Sequence, residues 1–321
     1  MDPDDPAVRW LLEPEDPSVR YLALTDLLGR TGRSREVREA LARIPSGPRV
    51  RALIAGQRAD GGFGVHPYQK WTGAHWRLVS LVELGLPAGH PAALRAANQV
   101  LRWLGGSAHR KRIVVLEGRV RRCASQEGNA LGVTSRLGMA GDERVRELAG
   151  FLVDWQWPDG GWNCDKDPGA DHSSFYESLA PMWGLLEHYR ATGDRDALMA
   201  SERAREMFLR HRLFRSEETG DVIDAEWLKL HYPLYWHYDV LHALVILSRF
   251  GPLGDPRMRE ALDVVEGKRL ADGRWRAEGF YWHPPGKRRP HAEVVDWGRT
   301  GPSKMITVNA LRVLRAAGRV R

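Results

Sequence analysis

The residues able to do chemistry in this 321-residue chain are few and unevenly placed. Cys123 and Cys164, its two cysteines, lie 41 positions apart, and His172 follows the second by eight. His237 stands in Tyr235-Trp236-His237-Tyr238, at the head of another apolar stretch. Two thiolates with one or two imidazoles are an ordinary zinc set, and such a set can keep a position open for substrate. Each of the four is expected at the start of a helix or in the loop entering one, where the N-terminal partial charge favours a thiolate. A zinc ion held there would lower the pKa of a substrate thiol and hold it as a nucleophile. Asp239 and Glu177 are acids flanked by apolar residues at equivalent depth, and they are the candidates for moving protons. Plainer uses exist for all six: small buried hydrophobes, helix caps, or buried hydrogen-bonding groups.

What must position these residues is written in a repeat. Gln57-Arg58-Ala59-Asp60-Gly61-Gly62-Phe63 returns as Gln156-Trp157-Pro158-Asp159-Gly160-Gly161-Trp162, and again as Arg269-Leu270-Ala271-Asp272-Gly273-Arg274-Trp275. A repeated phrase implies repeated structural units. The Asp-Gly step supplies a positive-φ turn, and the aromatic two residues on is expected to pack on the helix just ended. No chemistry is assigned to Asp60, Asp159 or Asp272.

Six Leu/Ala-rich segments run to a Gly or equivalent stop: 17–29, 72–85, 123–138, 172–189, 234–251 and 302–318. Their density of apolar residues predicts helices buried on all faces. Between them lie more polar amphipathic segments at 48–57, 90–104, 143–156, 195–213 and 256–266. Buried helices alternating with half-exposed ones predict an all-α fold of two concentric layers, a closed (α/α)6 double ring over residues 1–321 as one domain. Residues 112–122 predict a two-stranded ribbon and 279–301 a long loop.

The phrases resemble the QW repeats of squalene–hopene cyclases. At the level of the repeat the whole chain looks like the α/α toroid of class II terpene cyclases, protein prenyltransferase β subunits and lanthionine cyclases. That resemblance implies an enzyme acting on an apolar substrate, such as an isoprenoid diphosphate, in a central cavity, and a zinc cofactor in the prenyltransferase and lanthionine branches. Cys164 falls where the prenyltransferase cysteine would lie, but the aspartate two residues before it is Trp162 here, and His237 corresponds to the later histidine. The Cys123–Cys164 spacing resembles the lanthionine cyclases, whose Cys-His dipeptide is absent. Asp2, Asp4 and Asp5 match the acid string of class II cyclases but are expected in a frayed terminus.

Trp71, Trp76, Tyr176, Trp183, Tyr235, Trp236 and Tyr238 sit in or beside the buried segments and suit the lining of an apolar cavity. The basic run from His109 to Arg112, with Arg119, Arg121 and Arg122, would suit a diphosphate or simply face water. A net charge of +7 does not by itself mean nucleic acid, since the arginines are scattered and no phosphate loop or finger spacing is present. With two cysteines, no basic-apolar leader and no apolar run of membrane length, the chain reads as cytoplasmic. The alternative to an enzyme is a toroid that binds a lipid or a protein partner.

Overall fold

The computed structural model describes residues 1–286 and 290–320; Lys287, Arg288 and Arg289, within the expected long loop, lie outside the described residues. Half of the chain is helical, with one small two-stranded antiparallel sheet among the described residues. In chain order the helices are α1 (Pro6–Leu11), α2 (Pro17–Leu22), α3 (Arg35–Arg43), α4 (Pro48–Ile54), α5 (Ala74–Glu83), α6 (Pro91–Leu104) and α7 (Ser107–Arg110). They continue as α8 (Ser125–Arg136), α9 (Glu143–Asp154), α10 (Phe175–Thr192), α11 (Arg195–Arg210), α12 (Val240–Leu247), α13 (Arg259–Gly267) and α14 (Lys304–Ala316). The ribbon is β1 (Val114–Leu116) paired with β2 (Arg119–Arg121), turning at Glu117 and Gly118.

The six apolar segments form α2 (extended by a π-helical turn, Ala23–Leu27), α5, α8, α10, α12 and α14. Their burial is all-round: every residue of α5 from Ala74 to Val82 is buried. Each packs against a more polar helix, in the pairs α2–α3, α5–α6, α8–α9, α10–α11, α12–α13 and α14–α1. The partners bury one face only, as α9 does with Val145, Leu148, Ala149 and Leu152. The buried helices also touch one another in the series α5–α8–α10–α12–α14–α2. Tyr21 of α2 lies against Gly85, just past the end of α5.

Two elements differ from the expectation. The N-terminus is not frayed, because Asp5 accepts the backbone N–H groups of Ala7 and Val8 at 2.8 and 3.2 Å and caps α1. The partner of α2 is α3, an element not expected from the sequence. Its charge-rich REVREALAR carries only a short stripe, Val37, Ala40 and Leu41, and buries just the first two.

The repeated phrase has a common construction. Gly61, Gly160 and Gly273 all have positive φ, and a Cβ at Gly61 or Gly160 would collide with a backbone carbonyl of α6 or α11. The turn can therefore approach the next polar helix only through glycine. Gln156 Nε2 donates to Gly160 O at 2.7 Å and Ala200 O at 2.8 Å, tying turn to helix, and Gln57 does the same to Gly61 O and Ala92 O. In the third copy Arg269 reaches Gly273 O at 3.4 Å and makes no bond to the following helix.

The closing aromatic packs back as expected. Trp162 Nε1 donates to Leu152 O at 2.9 Å and Trp275 Nε1 to Val265 O at 2.7 Å, each satisfying a carbonyl in the last turn of the preceding helix. Phe63 has no N–H to offer. There Arg77 supplies it, donating to Leu53 O at 3.0 Å with its guanidinium 3.8 Å over the Phe63 ring.

Candidate metal centre and ligand cavity

Cys123 and Cys164 meet through a backbone pairing. At the end of β2, Arg121 bridges to Asn163 in parallel, and Arg122 N–H donates to Asn163 O at 3.0 Å. One and two residues further on, the two cysteines are side by side, each partly buried. The third member of the group is Glu177, in the first turn of α10; the ligand atoms of all three lie within 4.8 Å of one another. Cys164 Sγ donates to Glu177 Oε1 at 3.5 Å, and Ser125 N–H, at the start of α8, donates to Glu177 Oε2 at 2.9 Å.

The electrostatics follow from that geometry. The contact between the two sulfurs lowers the Cys123 thiol pKa and raises that of Cys164, which keeps its proton. Burial raises the Glu177 carboxyl. Behind the group, Glu127 is held by Arg122 Nε at 3.0 Å and His109 Nε2 at 2.9 Å, a buried set that anchors the start of α8. Two sulfurs and a carboxylate, the latter fixed through its far oxygen, could hold a metal ion by donor type and proximity.

The other expected ligands are elsewhere. His172 is exposed and paired with Asp171 at 3.0 Å, because α10 begins only at Phe175 and the preceding loop runs along the surface. Asp159 fixes that loop through Ser173 N–H and Oγ at 2.7 and 2.6 Å. His237 stacks between Trp236 and Tyr281, at 4.0 and 3.4 Å between ring centroids, and donates Nδ1–H to Leu234 O. Burial lowers its pKa to about 4, so the ring is neutral. Asp239 caps α12, accepting from His242 N–H at 2.8 Å and His231 N–H at 2.9 Å. It is not among the residues lining the cavity described next. Of the six predicted site residues, the structure brings together Cys123, Cys164 and Glu177, and a carboxylate stands where an imidazole was expected.

A cavity of about 660 Å³ is lined by residues from all six buried helices, among them Thr25, Val79, Asn129, Trp183, Val245 and Asn309. That volume suits a small-molecule ligand. Tyr176, Trp183, Tyr235 and Trp236 line it as expected. Trp71, Trp76 and Tyr238 do not; they are core residues, Trp71 stacked flat on Tyr235 at 3.8 Å. Several donors on the wall have no partner: Asn129 Nδ2, Trp183 Nε1, Trp236 Nε1, Arg249 Nε and Arg312 Nε. The cysteine group lies beside the cavity rather than on its wall, joined to it through Tyr176, the chain neighbour of Glu177.

The basic ribbon does not offer a free anion site in its two innermost arginines. Arg122 is consumed by Glu127, and Arg121 is buried over Trp157, donating Nη1 to Ala170 O at 2.9 Å. Its Nε and Nη2 are left without a partner among the described residues, inside the fold rather than presented at the surface.

Two features were missed from the sequence. Glu293, on the long loop, is a buried carboxyl whose pKa burial raises to about 7, and it accepts a hydrogen bond from Tyr235 of the cavity wall. Nothing in its local sequence marks it. The second is a set of arginines at the C-terminal ends of the buried helices. Its signal was readable: Arg136, Arg249 and Arg315 each precede a glycine stop by two or three residues.

No family model matches the chain, and neither does a curated protein or a solved structure. Among the described residues, no helix is long and apolar enough to cross a membrane.

Proposed function

We propose that the six helical hairpins close into an α/α toroid around a ligand chamber, and that the protein is an enzyme of the prenyltransferase and terpene-cyclase type. One observation carries this reading: a single cavity receives wall residues from all six buried helices. A closed ring of hairpins accounts for that, and an open arc would leave one side of the cavity unwalled. The aromatic and aliphatic part of the lining, Tyr176, Leu179, Trp183, Tyr235 and Trp236, would suit the chain of an isoprenoid-like substrate.

Cys123, Cys164 and Glu177 would hold zinc at the rim where the buried helices begin. When bound, the ion supplies an electrophilic site at which a substrate thiol is held as thiolate. The protein's part is then geometric: the Arg121–Asn163 bridge sets the sulfurs side by side, and Ser125 orients the carboxylate. The second reading is a toroid that binds an apolar ligand without catalysis, favoured by the position of the cysteine group beside the cavity wall.

Metal content and turnover separate the two. Protein purified without chelator should carry about one zinc per chain. With farnesyl diphosphate and a small thiol it should release diphosphate. Zinc-free protein that binds farnesol without turnover would support the second reading, and protein that binds no isoprenoid would sink both.

A further inference from the structure

The end of the cavity remote from the cysteines is built differently from the rest. Arg136, Arg249, Arg312 and Arg315, from the C-terminal ends of α8, α12 and α14, all line it. Helix C-termini attract cations, and that explains why arginine occurs there. It does not explain their number.

Neighbouring acids leave an excess. Glu187 takes Arg249 at 3.0 Å, Arg190 at 3.4 Å and Arg136 at 3.7 Å. Asp26 pairs with Arg312, and Arg315 donates to the Asp26 carbonyl at 2.8 Å. Glu83 also lines the cavity, beside His242, and burial raises its pKa, so its charge is the least secure of the three. Five guanidinium groups thus share three carboxylates. Arg249 registers the crowding: burial lowers its pKa, and Arg312, Arg136 and Arg190 lower it further. Arg249 Nε and Arg312 Nε have no acceptor. Unsatisfied, charged donors on a cavity wall are costly unless an acceptor comes with the ligand.

From this we infer that the arginine end is the head-group site of an anionic amphiphile. The oxyanion, a carboxylate or a diphosphate, is held by Arg249 and Arg312 with Arg136 and Arg315 at the exposed rim, and the apolar chain lies along Leu179 and Trp183. The ligand's far end is then directed towards Tyr176 and Trp236. α8 alone, at 1.5 Å per residue, separates Cys123 from Arg136 by roughly 18 Å. The inference rests on the cavity being a ligand chamber and not on the metal; a diphosphate seated here holds its C1 away from the cysteine group, so a diphosphate preference counts against thiol transfer at that group.

The test compares ligands matched in chain and differing in head. Farnesyl diphosphate, farnesol, dodecanoate and dodecanol are titrated into the full chain by calorimetry. At least one anion should bind about tenfold or more tightly than its alcohol, and which one does identifies the head group. The double variant Arg136→Gln/Arg315→Gln, altering two exposed rim residues, should reduce that preference about threefold or more, the remainder being held by Arg249 and Arg312. Equal binding of acid and alcohol by the unaltered protein overturns the head-group site while leaving the chamber standing. So does a preference that the double variant leaves untouched. Failure of all four ligands to bind overturns the chamber as well.

Discussion

The backbone N–H of Ser125 donates to the carboxylate of Glu177 at 2.9 Å, across 52 positions of the chain. This bond joins the first turn of α8 to the first turn of α10, and on either side of it stand Cys123 and Cys164. Glu177 is thus both a structural tie and the third member of the candidate metal group. Its two oxygens divide these duties, Oε2 towards Ser125 and Oε1 towards Cys164.

Glu177→Gln should separate those duties. The amide still accepts from Ser125 but brings no charge to a metal. Zinc affinity is expected to fall by about 10–100-fold, with a smaller change in stability. Competition with a chromophoric chelator measures this. Unchanged zinc affinity would remove Glu177 from the ligand set.

The approach of α8 to α10 is set by glycine. A Cβ at Gly184 would lie 2.3 Å from Gly128 O, and one at Gly128 would lie 2.3 Å from the Pro181 nitrogen. Gly184→Ala should force the helices apart at a cost of about 1–3 kcal/mol. Because those helices carry Ser125 and Glu177, it should also weaken metal binding. Denaturant titration would show the first effect and chelator competition the second. An alanine variant as stable as the parent would contradict the close packing.

The three copies of the turn are predicted to differ in worth. Gln156→Ala removes two hydrogen bonds between turn and helix and a third from Arg203 at 2.7 Å. It should cost about 1–3 kcal/mol. Arg269→Ala loses a long hydrogen bond to Gly273 O, a partly exposed pairing with Asp5 at 3.8 Å and a stacking contact over Trp275, and should cost less than about 1 kcal/mol. Comparing the two midpoints in urea tests the ordering, and a reversed order would refute it.

Glu293 should leave a mark on the pH dependence of stability. Unfolded, its carboxyl titrates near 4.3; folded, burial raises it to about 7. Between those values the folded chain holds a proton that the unfolded chain has released. Stability therefore falls as pH rises through this window and levels off above it. The full difference is on the order of 3 kcal/mol. Glu293→Gln has no such proton, so its stability relative to the parent should rise by about that amount between pH 4 and pH 8. A parent-to-variant difference that stays constant across this range would show that Glu293 is not held neutral.

Much of the scaffold was legible because its signals are local. The apolar density of 74–82 and the one-sided pattern of 143–154 each report burial through helical periodicity alone. The Asp-Gly phrase announced its turn because only glycine suits that backbone at the turn. The ribbon at 112–122 was visible for the same reason. α3 was not, since its stripe of Val37, Ala40 and Leu41 is short, small and surrounded by five charged residues.

The site was legible only in part. Sequence grouped Cys123 with Cys164 as one metal set, because thiols are rare in this chain, and marked Glu177 apart from them as an acid among apolar residues. It could not say that Glu177 rather than a histidine joins the cysteines, which depends on the Arg121–Asn163 bridge and on the separation of α8 from α10. His172 was misplaced because the start of α10 lies three residues later than the apolar run suggested, enough to turn an imidazole from rim to solvent. Asp239 was drawn into a helix cap by His231 and His242, partners that share its neighbourhood only once α12 has formed. Helix positions follow from residues a few places apart. Which side chains share a cavity follows from contacts between segments as distant as Asp26 and Arg312, and no short-range pattern encodes those.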